Sequence, residues 1–147
     1  MALFRKQGIR FPLPLCAMLL AEAEAEVGHV KQALTTLNDT IADVGRSGRH
    51  HFDAELHRLR GQLLLSDKWR DVAAAEAALM RAIEVARRQH TRTFELRAAM
   101  SLARLWRDQG KVQQARELLA PVYGWFTEGF DTRDLKEAKV LLEELAE

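Results

Sequence analysis

Apolar residues in this chain recur at intervals of three and four, and the intervals break at glycines, prolines and short polar clusters. The pattern predicts seven helices. They cover residues 12–27, 30–44, 52–65 and 71–89, then a segment capped by Thr91 or Thr93 and ended by Gly110, then 112–126 and 133–145. Proline is tolerated in the first turn of the first helix, where its missing N–H would have no helical acceptor. Gly28 and the Gly45-Arg46-Ser47-Gly48 linker stop the first two helices, and Asp131 or Thr132 serves as N-cap of the last. Short turns between helices of this length imply antiparallel pairs. The pairs are hairpins at about 12–45, 52–89 and 93–126, followed by a capping helix at about 132–146. Residues 1–11 are poorly patterned and read as a poorly ordered N-terminal segment.

Within this pattern one stretch returns. Gly28, Val30, Gln32, Ala33 and Leu37 reappear at the same offsets as Gly110, Val112, Gln114, Ala115 and Leu119, and Ala75 with Leu79 forms a degenerate middle copy. The steps from Ala33 to Ala75 and from Ala75 to Ala115 are 42 and 40 residues. The first helix of each pair carries a small residue in register: Ala21, Gly61 and Ala103. Small residues at facing positions let two helix axes approach, and the leucine one turn on fills the groove beside them. A period in this range is the mark of stacked helical hairpins.

A twelve-residue step from a small residue to an alanine, with glycine at the turn, resembles the tetratricopeptide repeat. Ala82, seven residues after Ala75, is a further small-residue position of that motif. The unit is longer than the usual 34 residues, at about 41, and Ala17, His57 and Ala99 stand where the repeat's tryptophan would. Residues 54–61 and 96–106, and the run from Leu118 through Tyr123-Gly124-Trp125-Phe126-Thr127-Glu128-Gly129-Phe130-Asp131, resemble a narrower group. They are similar to C-terminal repeat regions of large bacterial regulators that carry a signalling ATPase, often fused to a class III nucleotide cyclase. The resemblance implies an all-α, right-handed solenoid of three antiparallel hairpins plus a C-terminal capping helix, working in signalling through protein contacts. It transfers no ATPase or cyclase activity, because no residues here match those motifs.

Composition narrows this reading. Alanine and leucine dominate a hydrophobic content of 48%, and three prolines and few β-branched residues argue against strands. A single cysteine, Cys16, fits a reducing, cytoplasmic setting and reads as a small buried hydrophobe. Arg5, Lys6 and Arg10 before an apolar run outline a signal peptide, but Pro12 and Pro14 interrupt that run, and no stretch has the length of a membrane span. The net charge of +1 hides an imbalance: residues 81–116 carry nine basic and three acidic side chains, and residues 117–147 carry three and eight. A basic middle attracts an acidic partner or is satisfied by the acidic tail beside it.

Catalytic chemistry is sparse. The glycines form no phosphate-binding loop, and the i, i+2 steps of Glu22, Glu24 and Glu26 put neighbours on different helix faces rather than pairing them as acid and base. No cofactor is implied. Two alternatives to a protein-binding role stay open. His50, His51, Asp53 and His57 offer metal-ligand types, with Asp53 and His57 sharing a helix face, although an acidic helix start with a packed histidine gives the same pattern. Arg87, Arg88, Arg92, Arg97, Arg104 and Arg107 offer a basic helix face for nucleic acid, but exposed aromatics are not interleaved with them; Trp106, Trp125, Phe126 and Phe130 read as packing residues.

The resemblance implies a concave groove lined by the first helix of each pair. Its groove positions fall on Met18 and Glu22, on Glu55, Arg58 and Gln62, and on Arg97, Met100, Arg104 and Arg107. Arg97, Arg104 and Arg107 share one stripe suited to carboxylates. The expected partner is therefore a protein or peptide, acidic at that stripe, or a preceding ATPase or repeat region. The last helix should cover the end of the third hairpin with Leu135, Ala138, Leu141, Leu142 and Leu145. The opposite end lacks such a cover, which predicts an apolar edge around Leu13, Met18 and Leu19 suited to homo-oligomer formation.

Overall fold

The period-3.6 pattern produces helices at each predicted place. The computed structural model describes residues 14–48, 50–66 and 70–147. Its helices are α1 (Pro14–Glu26), α2 (Val30–Ser47), α3 (Asp53–Ser66), α4 (Val72–Gln89), α5 (Arg92–Asp108), α6 (Val112–Gly124) and α7 (Arg133–Ala146). The described residues contain no strand, so the fold class is all-α. The segment at 1–11, Pro12 and Leu13 lie outside the described residues.

Helix ends follow local chemistry. Gly28 and Gly110 take φ values of +89° and +81°, a region costly for side chains with a Cβ, and each starts a tight turn into the next helix. The second helix runs past its expected end, through Gly45 to Ser47, and stops at Gly48, whose amide donates to Val44 O at 3.0 Å. Asp71 caps α4 by accepting the Ala74 amide at 3.0 Å on Oδ1. Thr91 precedes α5, but its hydroxyl donates back to Ala86 O, so it supplies no side-chain cap. The sixth helix passes through Pro121, which has no amide proton for the Glu117 carbonyl, and ends at Gly124, before Phe126.

Each helix packs on its successor. In addition α1 packs on α3, α3 on α5 and α5 on α7, whereas α2, α4 and α6 do not touch one another among the described residues. The recurring positions make these contacts. Ala21, Ala33, Leu37, Ala75, Leu79, Ala103, Ala115 and Leu119 are all fully buried. Gly61 shows why smallness matters, because a Cβ there would lie 2.8 Å from Leu79 Cγ and 3.2 Å from the Ala75 carbonyl oxygen. The core divides into a cluster shared by α1, α2 and α3, a larger one running from α4 to α7, and a small one of Ala54, Val85 and Ala86 joining α3 to α4. Leu135, Ala138, Leu141 and Leu145 of α7 are buried in the larger cluster, with Leu142 half-buried against it.

Two apolar expectations are corrected. Met18 is buried, because it lies on the α1 face that meets the core with Ala17 and Ala21. Cys16 is exposed, because that packing turns it outward together with Leu15, Leu19 and Leu20.

Candidate functional site

One helix from each predicted hairpin, with α7 and the segment after α6, encloses a groove of about 1000 Å³. Glu22 and Glu26 stand on α1, one turn apart and so on one face. Arg58 and Gln62 come from α3; Leu96, Arg97, Met100, Ser101 and Arg104 come from α5. Arg133, Asp134, Leu135 and Glu137 of α7 form the far wall, and Phe126, Glu128 and Gly129 close the rim. Ligand pockets for small molecules are mostly apolar with a few polar groups. This groove has the opposite balance.

The charges form a connected network. Arg58 donates from Nε and Nη2 to both oxygens of the buried Glu55, at 2.9 Å each. The same carboxylate meets Arg97 Nη1 at 3.5 Å, while Arg97 Nε donates to Asp134 Oδ2 at 2.8 Å. Burial disfavours the Arg97 charge, but the bond to Asp134 and the attraction of Asp134 and Glu55 outweigh it and raise its pKa above the ordinary arginine value. Arg104 lies 3.6 Å from Glu137, which also accepts from Arg133 at 2.9 Å. The Arg133 bond is the main influence holding the Glu137 carboxyl below the usual carboxylate range. Gln62 Nε2 donates to Ser101 Oγ at 3.1 Å and ties α3 to α5 on the groove floor.

The structure brings together six of the nine residues expected in the groove: Glu22, Arg58, Gln62, Arg97, Met100 and Arg104. Three sit elsewhere. Met18 is in the core, Glu55 is buried beneath Arg58, and Arg107 lies at the far end of α5, where Nη1 donates to Glu144 at 2.7 Å. Arg107, Arg104, Val140 and Glu144 border a smaller recess of about 260 Å³ between α5 and α7. The expected groove positions include none from α7, although the acidic tail reads as one way to satisfy the basic middle, and α7 does pair with Arg97, Arg104 and Arg107. Its signal was present in the −5 balance of residues 117–147 beside the +6 of residues 81–116.

The alternative sites fare differently. His50 Nδ1 pairs with Asp53 at 2.8 Å, but His51 packs edge-on against Phe52 and Phe94, and His57 is half-buried near Arg81. Among the described residues no three His, Cys, Asp or Glu side chains converge as a metal site. The arginine face is largely matched by carboxylates: Arg87 and Arg92 reach Glu95, and Arg97, Arg104 and Arg107 reach α7. Trp106 donates to Glu76 at 3.2 Å and is half-buried, whereas Trp125 and Phe130 pack against Phe126 and Tyr123 yet stay largely exposed, with Arg92 4.9 Å over the Trp125 ring. No helix among the described residues is long and apolar enough to cross a membrane. Compared with protein-family models, curated proteins and solved structures, the chain matches none.

Proposed function

We propose that this chain is a non-catalytic interaction module of tetratricopeptide type, a right-handed solenoid of three hairpins and a capping helix that holds a polypeptide in its groove. The supporting observation is the packing order. The first helices of successive hairpins pack in series while, among the described residues, the second helices do not, the order expected if α1, α3, α5 and α7 line a common concave side. The buried recurrence of Ala21, Gly61 and Ala103 supports the same arrangement. The resemblance of residues 54–61, 96–106 and 118–131 to the tails of ATPase- and cyclase-bearing regulators makes such a regulator the proposed setting.

A photo-reactive side chain tests the groove reading. Placed at Gln62 it should cross-link to a bound polypeptide, and placed at Met80, exposed on α4, it should not. Equal labelling from both positions, or from Met80 alone, removes the groove reading. A second contact is supported by Leu15, Leu19 and Leu20, which leave an apolar outer face on α1, with Val27 exposed just beyond it. We propose that this face packs on a preceding repeat or, for the isolated chain, on a second copy. Light scattering should then give a mass above the monomer that Leu19→Glu reduces, and a strictly monomeric chain at high concentration counts against it.

A further inference from the structure

We infer that the groove selects a segment bearing lysine or arginine side chains, because α7 already supplies the anions for its own arginines. The inference rests on reading the groove as a polypeptide site and names the chemistry of the occupant. The arginine stripe on α5 is the part of the sequence best suited to carboxylates, yet Asp134, Glu137 and Glu144 approach Arg97, Arg104 and Arg107 at 2.8, 3.6 and 2.7 Å. Arg58 is held by both oxygens of Glu55. An acidic ligand would have to displace carboxylates of the same molecule. Those are tethered and so compete at high effective concentration, and α7 itself is anchored by four buried residues.

The opposite charge meets no such competitor. Glu22 and Glu26 on α1 and Glu128 on the rim face the same cavity, and none has an ion-pair partner among the described residues. The acidic wall on α1 and Glu128 on the rim therefore flank a floor whose arginines are each paired with Glu55 or with a carboxylate of α7. A basic side chain entering between them gains attraction without breaking an existing pair. Complementary charge of this kind sets partner choice and encounter rate more than raw affinity.

Three fluorescein-labelled nine-residue Gly/Ser peptides test this, one neutral, one with three lysines and one with three glutamates, read by polarisation at low and at physiological salt. The lysine peptide should bind about tenfold more tightly than the neutral one, with that advantage falling as salt rises. Glu22→Gln with Glu26→Gln should remove most of the advantage. The triple variant Asp134→Asn, Glu137→Gln, Glu144→Gln, checked for unchanged helicity, should raise affinity for the glutamate peptide. Preference of the unaltered chain for the glutamate peptide overturns the inference. So does equal binding of the neutral and lysine peptides; if Gln62→Trp blocks both, the groove reading survives it. Failure of all three peptides to bind removes the groove reading as well.

Discussion

At the scale of single residues, the tightest constraint is Gly61. Its surroundings are Leu79 and the backbone of Ala75, so an added methyl has one neighbour that can rotate and one that cannot. Gly61→Ala should destabilise the fold by about 1–3 kcal/mol despite its better helix propensity, because overpacking outweighs the roughly 1 kcal/mol that alanine gains in a helix interior. Chemical denaturation checks this, and a variant as stable as the parent would show that α3 and α4 are free to separate. His57 supplies the pH dependence. Burial lowers its pKa, with Arg81 and Arg60 acting in the same direction and Asp53 against them. The folded chain therefore holds His57 neutral at a pH where the unfolded chain has begun to bind a proton. Stability should be flat above the ordinary histidine value of about 6.5 and fall as pH drops below it. Thermal melts at pH 7.5 and 5.5 should show a smaller loss for His57→Gln than for the parent. An identical loss would show that His57 does not carry the dependence. Gly61 was legible from the sequence because its role is one of spacing. The exposure of Cys16 was not, because an apolar residue in an apolar helix can face either way until the packing of α1 is known.

At the scale of elements, α7 separates what holds a helix in place from what tunes it. Leu135, Ala138, Leu141 and Leu145 recur at three- and four-residue steps and are all buried, so the sequence pattern was enough to find that face. Its acidic face was harder to place. Asp134, Glu137 and Glu144 look like a solvated surface in isolation, and only the crossing of α7 on α5 brings them opposite Arg97, Arg104 and Arg107. For the same reason the groove positions read from the repeat pattern reach Arg104 but overshoot at Arg107, which lies beyond the wall that α7 builds. Magnitudes decide which face matters for stability. Leu141→Ala should cost about 2–5 kcal/mol through the lost burial and the cavity left behind. Glu144→Gln should cost under about 1 kcal/mol, because the Arg107 pair is half exposed and screened by water. Denaturant midpoints for the two variants check the order. A larger loss for Glu144→Gln would mean that the ion pairs, not the apolar face, hold α7 on the fold.

At the scale of the whole molecule, the order of packing sets where the fold is strong. Among the described residues, contacts run only between helices adjacent in the chain or two apart, so no helix from one end braces the other. The pair α1 and α2 leans, among the described residues, on α3 alone, and its cluster is separate from the larger one that spans α4 to α7. The fifth helix stands in the opposite position, touching α3, α4, α6 and α7. In such an array opening spreads from the least braced end, and local stability follows the number of neighbours a helix has. Amide hydrogen exchange read by mass spectrometry should therefore show α1 and α2 exchanging first and α5 last. The gap should narrow when α1 is covered, since Leu15, Leu19 and Leu20 are exposed on it. Two results would count against this. Uniform protection from α1 to α7 would mean that the chain opens as one cooperative unit, and stronger protection in α1 than in α5 would mean that a contact outside the described residues braces the first hairpin. A graded profile also bears on the groove, because Glu22 and Glu26 ride on the least braced helix while Arg97 and Arg104 ride on the most braced. The α1 wall can then move toward an occupant with little disturbance of the arginine floor.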